Sequence, residues 1–368
     1  MTDDFNITRR AALALAAGAL SLGLAGPALA EVDFAGETIE WIIPFSAGGG
    51  SDTWARFNAP LLSKYLPGKP TVIVVNEPGG GSTKGTNLFA ARAKPDGLTI
   101  LGTSGSTQFP YLLGDPRVRY DYKEWKIAMV GPTGGVVYTT PELGLKTPED
   151  IAMLKDKELV YASQGATSLD LVPLLGFRLM GLNVQHVFGF KGRGDGRLAF
   201  ERREVNIDYQ TSSAYIKNVQ PLVDAGQAVP LFSWGVLNEA GEVVRDPTFP
   251  DLPSFPEAYK TLTGAAPSGP DYDAYFAFFT AGFPAQKMVF LPKDTPDDIV
   301  AAYQKAFEDM KADPDYQANA EPVLGAYGQV TGQLAQALFE KGTTIAPELR
   351  TQVNEMLAAD YGVKLGED

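Results

Sequence analysis

The stretch that decides the fold is Thr38–Asp52, which reads TIEWIIPFSAGGGSD. Its first half is a run of apolar and β-branched residues that predicts a buried strand, and its second half is a glycine-rich turn. A helix is predicted from Asp52, because Trp54, Phe57 and Leu61 share one face at helical spacing. A strand, a tight glycine turn and a helix in this order form the unit from which parallel α/β sheets are built.

The same order of elements recurs along the chain. Strands predicted at Thr71–Asn76 and Leu98–Leu101 each run into a loop of small polar residues. A second series of strands and helices is predicted from about residue 134 to residue 264. Alternation of strands with helices predicts parallel sheets covered on both faces, and two such series predict two α/β lobes around a cleft. Ligands of such sheets bind at the carboxyl ends of the strands.

The last third of the chain has a different pattern. Glu239–Pro270 is rich in proline, glycine and aspartate and predicts a loop, whereas Tyr272–Phe290 predicts aromatic β-strand sequence. Helices are predicted at Pro296–Lys311, Leu334–Lys341 and Pro347–Ala358.

Composition removes several classes of function. The chain has 368 residues and a net charge of −13, which argues against nucleic acid as a partner because a phosphate backbone requires a basic surface. Cysteine is absent and histidine occurs once, at His186, so disulfides, thiol nucleophiles and Cys/His zinc sites are excluded. No G-x-S-x-G elbow accompanies that histidine. We therefore expect no catalytic residue, no metal and no cofactor.

The first 30 residues have the pattern of an export signal. An arginine pair at positions 9 and 10 precedes Ala11–Leu24, an apolar stretch too short for a membrane anchor. The sequence ALAE at positions 28–31 supplies the small residues of a cleavage site. The paired arginines resemble a twin-arginine signal, with the general secretory route as the alternative. The pattern predicts a bacterial protein exported to the periplasm.

Four loops at predicted strand ends carry small polar residues and free backbone amides. A helix N-terminus favours a carboxylate by about 0.3–1 kcal/mol, and hydroxyl groups add neutral donors, so no cationic side chain is required. Any one such loop is more often only a turn, but four in one exported chain favour an anion site. The loops are Pro44–Asp52, Gly79–Ser82, Thr103–Thr107 and Ser163–Ser168.

Four segments of the chain resemble the signature segments of one family, the periplasmic solute receptors of tripartite tricarboxylate transporters (the Bug or TctC-like family). They are IPFSAGGGSD (residues 43–52), NEPGGGS (76–82), KPDG (94–97) and FGFKG (188–192). The resemblance runs from Trp41 to about residue 358. It implies a two-lobed periplasmic-binding-protein fold of type II with a central cleft. Lobe one would comprise residues 32–133 and 274–368, and lobe two residues 134–273.

The resemblance also implies a ligand site made by loops of both lobes. In lobe one the matching positions are Phe45, Ala47, Gly48, Ser51, Asp52, Thr103, Ser104 and Ser106. In lobe two they are Ser163, Gly165, Thr167, Ser168 and Asp208. Arg193 lies in a segment that departs from the family pattern, GRGDGR. We treat it as a candidate partner for a distal carboxylate or, alternatively, as a solvated loop arginine.

The favoured function is an extracytoplasmic receptor, expected to be monomeric, that closes on a small carboxylate, aromatic or aliphatic, and delivers it to the subunits of a membrane transporter. Two alternatives stay open. One is a periplasmic sensor domain for a carboxylate. The other is a secreted hydrolase that uses Ser104 or Ser163, although the sequence offers no evident base to activate either hydroxyl.

Overall fold

The computed structural model describes residues 32–238 and 240–365. The predicted export signal therefore lies outside the described residues. The strands are, in chain order, β1 Thr38–Ile43, β2 Thr71–Asn76, β3 Thr99–Thr103, β4 Lys126–Gly131, β5 Gly135–Thr139, β6 Leu159–Ser163, β7 Val184–Phe188, β8 Ile207–Thr211, β9 Val229–Ser233, β10 Val236–Leu237, β11 Val243–Val244 and β12 Lys287–Leu291.

Helices follow most of these strands. They are α1 Gly50–Tyr65, α2 Thr83–Arg92, α3 Gly105–Leu113, α4 Leu171–Leu179, α5 Arg193–Glu201, α6 Ser212–Ala214, α7 Gln220–Asp224, α8 Phe255–Thr263, α9 Pro270–Gly282, α10 Asp297–Lys311, α11 Pro314–Leu324, α12 Gly332–Gly342 and α13 Pro347–Tyr361. Short 3₁₀ segments lie at Gly80–Ser82, Pro141–Leu143 and Pro148–Asp156, and a π turn at Tyr215–Val219 joins α6 to α7. Within the described residues, no helix has the length and apolar character that a membrane crossing requires.

Two five-stranded sheets organise the fold. The first has the order β2-β1-β3-β12-β4 and the second the order β7-β6-β8-β5-β9. We call the first sheet with α1, α2, α3, α10, α11 and α12 lobe one, and the second sheet with α4 to α8 lobe two. Strands β1 to β4 and β12 thus belong to the first sheet, and strands β5 to β9 to the second. The expected boundary at 273/274 falls inside α9, which packs with α13 against the core of lobe two.

The prediction of parallel sheets is wrong at two strands. In lobe one β12 pairs antiparallel with both β3 and β4, and in lobe two β5 pairs antiparallel with both β8 and β9. Both strands enter their sheet directly after the chain has crossed from the other lobe. Parallel pairing requires a helical crossover between two strands of the same sheet. Neither β5 nor β12 is joined to its neighbours in the sheet by such a crossover.

The predicted aromatic strand at Tyr272–Phe290 is also wrong, because most of it is helix α9. The helix begins with Pro270 in its first turn and Asp271 beside it, both of which favour a helix N-terminus. Its aromatic residues line one face toward the core, where Tyr275 stacks on Phe255 with ring centroids 4.2 Å apart. Only the five residues of β12 keep the strand conformation.

Candidate functional site

The four loops predicted to carry the site meet where the carboxyl ends of the parallel strands face each other. The Ser82 hydroxyl donates to the carbonyl of Ser106 at 2.9 Å, which joins the second loop to the third. The Leu169 amide donates to Ser106 Oγ at 3.0 Å, which joins the third loop to the loop after β6. Loops of both lobes are therefore in direct contact around Ser106.

The first loop, after β1, contacts lobe two directly. Ser46 Oγ donates to Asp195 Oδ2 at 2.9 Å, and Ser213 Oγ donates to the carbonyl of Gly50 at 3.1 Å. The backbone packs so tightly that a Cβ atom on Gly50 would lie 1.8 Å from Thr211 Oγ1. Glycine is required here because no side chain fits between the lobes.

A small cavity of about 20 Å³ lies at this meeting point. Five predicted site residues line it: Phe45, Ser51, Ser104, Ser106 and Arg193. Seven further lining residues were missed as site residues: Gly49, Gly50, Gln164, Leu169, Thr211, Gln286 and Lys287. This volume holds about one water molecule, whereas pockets for small ligands span roughly 300–1,000 Å³. The two lobes are therefore in close contact here, and a small ligand at this point requires them to part.

The other predicted residues lie away from this cavity. Gly165 and Thr167 line a neighbouring opening of about 480 Å³, beside the glycines at 79–81 and beside Arg117 and Lys191. Neither space is lined by the remaining set: Ala47, Gly48, Asp52, Thr103, Ser163, Ser168 and Asp208. Several of these have internal partners instead, such as Thr103, whose hydroxyl bonds to the Tyr122 hydroxyl at 2.8 Å.

Asp52 supports the first loop from beneath. Its carboxylate accepts hydrogen bonds from the Gly48 amide at 2.9 Å, Arg56 Nε at 2.9 Å and Asn76 Nδ2 at 3.1 Å. A second bond from Asn76 Nδ2 reaches the carbonyl of Phe45 at 3.0 Å. Asp52 therefore fixes the backbone path of residues 45–50, several of which line the cavity.

Arg193 is buried, with an exposed fraction of 7%, so the alternative of a solvated loop arginine is wrong. Its guanidinium is bonded to the carboxylates of Asp208 and Asp170, the latter at 3.3 Å from Nη1. Burial is the largest single effect and opposes the charge of this group, but Asp170 together with the surrounding tyrosines Tyr161, Tyr209 and Tyr138 outweighs it, so the pKa of Arg193 is raised. Asp208 is fully buried and also accepts from the Tyr138 hydroxyl. Arg193 thus reaches the cavity wall with its charge already balanced.

Lys287 is the main cavity residue that is not among the site residues predicted from the sequence. It opens β12, is only 3% exposed, and donates from Nζ to Ser51 Oγ at 2.9 Å. Among the described residues it has no carboxylate within salt-bridge distance. Burial lowers the pKa of Lys287 to about 7. The signal in the sequence was a single lysine inside an otherwise apolar run, MVFL after it and AGFPA before Gln286.

The cavity wall also carries unused hydrogen-bonding atoms. Gln164 Nε2, Thr211 Oγ1 and Gln286 Oε1 are buried and have no hydrogen-bond partner in the described structure. Buried polar atoms are nearly always bonded, so an unpaired group requires an explanation such as a bound molecule. Three of these atoms and Lys287 line the same cavity.

His186 lies apart from this site. It sits on β7 against the rings of Tyr161 and Tyr361, whose centroids are 5.8 and 5.5 Å away. Burial lowers the pKa of His186 to about 4, which keeps the imidazole neutral near pH 7. The histidine is a packing residue of lobe two, as its alternating strand sequence indicated.

Comparisons with known proteins agree with this architecture. Residues 55–272, more than half of the chain, match the model of the TctC family, described as the tripartite tricarboxylate transporter family receptor. A UPF0065 protein of Bordetella bronchiseptica is 25% identical over 342 residues, covering 87% of each chain. The protein BugT of Bordetella pertussis is 34% identical over 204 residues, covering 54% of this chain and 61% of its own.

Solved structures show the same fold. The periplasmic binding protein BugD is 21% identical with a TM-score of 0.65, covering 89% of this chain and 98% of its own. A Rhodopseudomonas palustris protein with adipate is 19% identical with a TM-score of 0.66, covering 87% and 98%. MatC from the same organism, with bound malate, is 20% identical with a TM-score of 0.63, covering 87% and 100%. The predicted two-lobed fold of periplasmic binding proteins is thereby confirmed.

Proposed function

The chain belongs to the receptor family of the tripartite tricarboxylate transporters, and from this premise we propose that it is a periplasmic solute-binding receptor that encloses a small carboxylate between its lobes and delivers it to a membrane transporter. The observation that carries the proposal is the cavity where the loops of both lobes meet. Its wall combines Lys287 with buried polar atoms that lack a partner, and no aspartate or glutamate lines it.

Within this proposal the ligand carboxylate contacts the first and third loops and the start of β12. Ser51, Ser104 and Ser106 supply hydroxyl groups, and the first turns of α1 and α3 supply amides with partial positive charge. Gln164 and Thr211 close the site from lobe two. A micromolar dissociation constant requires about 8 kcal/mol, which several such contacts in a water-excluding cleft can supply.

The remaining predicted residues act indirectly in this scheme. Asp52, Asp208 and Arg193 hold the loops, while Gly165 and Thr167 face the neighbouring opening. The malate and adipate named for two structural neighbours are both dicarboxylates. They are therefore the first acids to test.

A binding role fits the candidate serines better than hydrolysis does. Ser104 Oγ accepts from the Ser106 amide at 3.2 Å and caps α3, and Ser163 Oγ accepts from the Gly165 amide at 3.1 Å. Each hydroxyl is thus used in a local turn. A sensor would bind its ligand in the same cleft as a transport receptor. The two roles differ in the protein to which the liganded chain binds.

A thermal-shift screen of the purified protein tests the proposal. The panel comprises malate, succinate, adipate, citrate and benzoate, with the corresponding amides as neutral controls. An acid present at about 100 times its dissociation constant stabilises the folded protein by about 2.7 kcal/mol, which raises the melting temperature by several degrees. If no acid raises the melting temperature above its amide, carboxylate binding is refuted.

Three further measurements separate the alternatives. Chromatography of the ligand after incubation shows whether it is converted, and conversion of an ester or amide would favour the hydrolase. Uptake of the labelled acid by membrane vesicles holding the transporter, with and without this protein, tests delivery. Capture of a histidine kinase in place of transporter subunits would favour the sensor.

A further inference from the structure

Two cations are buried in the part of the chain that the structure describes, Arg193 and Lys287. Arg193 faces two carboxylates, those of Asp170 and Asp208. Lys287 has only the Ser51 hydroxyl, at 2.9 Å. A buried ammonium without a counterion is costly, and proteins rarely keep one without a functional reason.

The groups around Lys287 supply no counterion. On α1 its neighbours are Ser51 and Trp54, and from lobe two Ser213 and Thr211 line the same spaces. The titratable groups there are Arg193, whose charge is balanced, and Tyr327. Burial raises the pKa of the Tyr327 phenol well above its ordinary value, so it is neutral.

Two carboxylates next to residues of this wall are engaged elsewhere. Asp246 accepts from the Tyr327 hydroxyl and from the Thr248 amide, the latter at 2.9 Å. Asp52, one residue after Ser51, is held by the Gly48 amide and by Arg56. Neither aspartate lines the cavities that Lys287 borders.

We propose that Lys287 is the specificity-determining cation of the site, that it forms an ion pair with the ligand carboxylate, and that the site selects amine-free carboxylic acids over amino acids. This inference rests on the proposed function and specifies its ligand class. A carboxylate supplies the counterion that Lys287 lacks and accepts from the unpaired donors Gln164 Nε2 and Thr211 Oγ1. An α-ammonium group would instead lie beside the uncompensated cation of Lys287, and the lining offers it no acidic side chain, only neutral acceptors such as Gln286 Oε1.

The same geometry predicts how affinity changes with pH. In the free protein the pKa of Lys287 lies near 7 because of burial, and a bound carboxylate raises it. Above pH 7 the ligand must therefore bind together with a proton. Affinity is expected to be highest below pH 7 and to fall as the pH rises, by up to about tenfold per unit.

Isothermal titration calorimetry on matched acid pairs tests the inference. The pairs are succinate with aspartate and glutarate with glutamate, each measured at pH 6, 7.5 and 9. Repeating the titrations in buffers of different ionisation enthalpy gives the number of protons taken up on binding. The variant is Lys287→Met, and the control is Lys305→Met, an exposed lysine on α10. We expect the wild type and K305M to prefer the amine-free acid by about tenfold or more, and K287M to lose about ten- to a hundredfold in affinity.

K287M is also expected to lose the pH dependence and the proton uptake. Because it removes a buried charge, it should melt at or above the wild-type temperature at pH 6, which excludes misfolding as the cause of weak binding. Unchanged affinity in K287M, an unchanged pH profile, or equal binding of aspartate and succinate overturns the inference while the receptor function stands. Failure of the wild type to bind any acid overturns both.

Discussion

Arg193 shows how a side chain can border a ligand cavity and still be unavailable to the ligand. Its guanidinium carbon lies 4.9 Å from the ring centroid of Tyr161 and 4.8 Å from that of Tyr209, so the cation contacts two neighbouring aromatic rings. The same group bonds to Asp170 and Asp208. Through these contacts it fixes the loop after β6 and the strand β8 relative to each other. We therefore regard Arg193 as a positioning residue.

Replacing Arg193 with methionine should leave two buried carboxylates without a counterion. Breaking a buried pair in this way costs about 3–5 kcal/mol of unfolding free energy. Arg202→Met is the matched control, because Arg202 is exposed and its pair with Glu204 is exposed as well. An exposed pair contributes about 0–1 kcal/mol. Urea denaturation of both variants measures the difference, and equal stability would show that Arg193 does not hold this network.

At the scale of elements, the sequence predicted the strand–turn–helix units well and the elements near the lobe crossings poorly. β1, its glycine turn and α1 follow from local signals alone, namely an apolar run, glycines and helical spacing. α9 was mistaken for a strand because a dense aromatic run fits either a buried strand or one face of a buried helix. Which of the two forms depends on tertiary packing.

Some residues of the candidate site could likewise be predicted from the sequence, and others could not. The loops after β1, β3 and β6 could be predicted, because small polar residues at strand ends are visible in one sequence. Lys287 could not, because its place beside Ser51 depends on β12 returning to the first sheet from residues far along the chain. Non-local pairing of this kind leaves no periodic trace in the sequence.

The first loop is held by one carboxylate, so Asp52→Ala should alter the site without removing a ligand contact. Three hydrogen bonds to Asp52 would be lost, including the one from the Gly48 amide. We expect weaker binding, by about tenfold, since an unsatisfied buried donor costs roughly 1–3 kcal/mol. The measurement is titration calorimetry with the best acid of the screen. Asp96→Ala is the control, because this loop aspartate accepts from the Leu98 amide, away from the first loop. Wild-type affinity in the Asp52 variant would show that the loop keeps its path without the carboxylate.

At the scale of the whole molecule, the closed arrangement depends on close contact between the backbone of one lobe and the side chains of the other. The first loop of lobe one lies against the start of α5, where a Cβ atom on Gly194 would come within 2.9 Å of the Ala47 carbonyl oxygen. Ser46, Gly48 and Gly50 each bond to lobe two. A receptor that closes on a ligand gains these contacts only in the closed state, so they set the balance between open and closed forms.

Gly50→Ala should shift that balance toward the open form. The added methyl group would lie 1.8 Å from Thr211 Oγ1 and 3.3 Å from Ser213 Oγ, both in lobe two. Gly50 has no positive φ and begins a helix, so alanine suits lobe one by itself. Only the closed form encloses the ligand, so the apparent affinity falls by the same factor as the fraction of protein that can close. We expect that factor to be about tenfold or more. Gly328→Ala is the control, since no atom lies within 4 Å of its Cβ position. Small-angle scattering with and without the acid should show compaction in the wild type and in G328A, and little in G50A. Full compaction of G50A with wild-type affinity would mean that the lobes do not close through this contact.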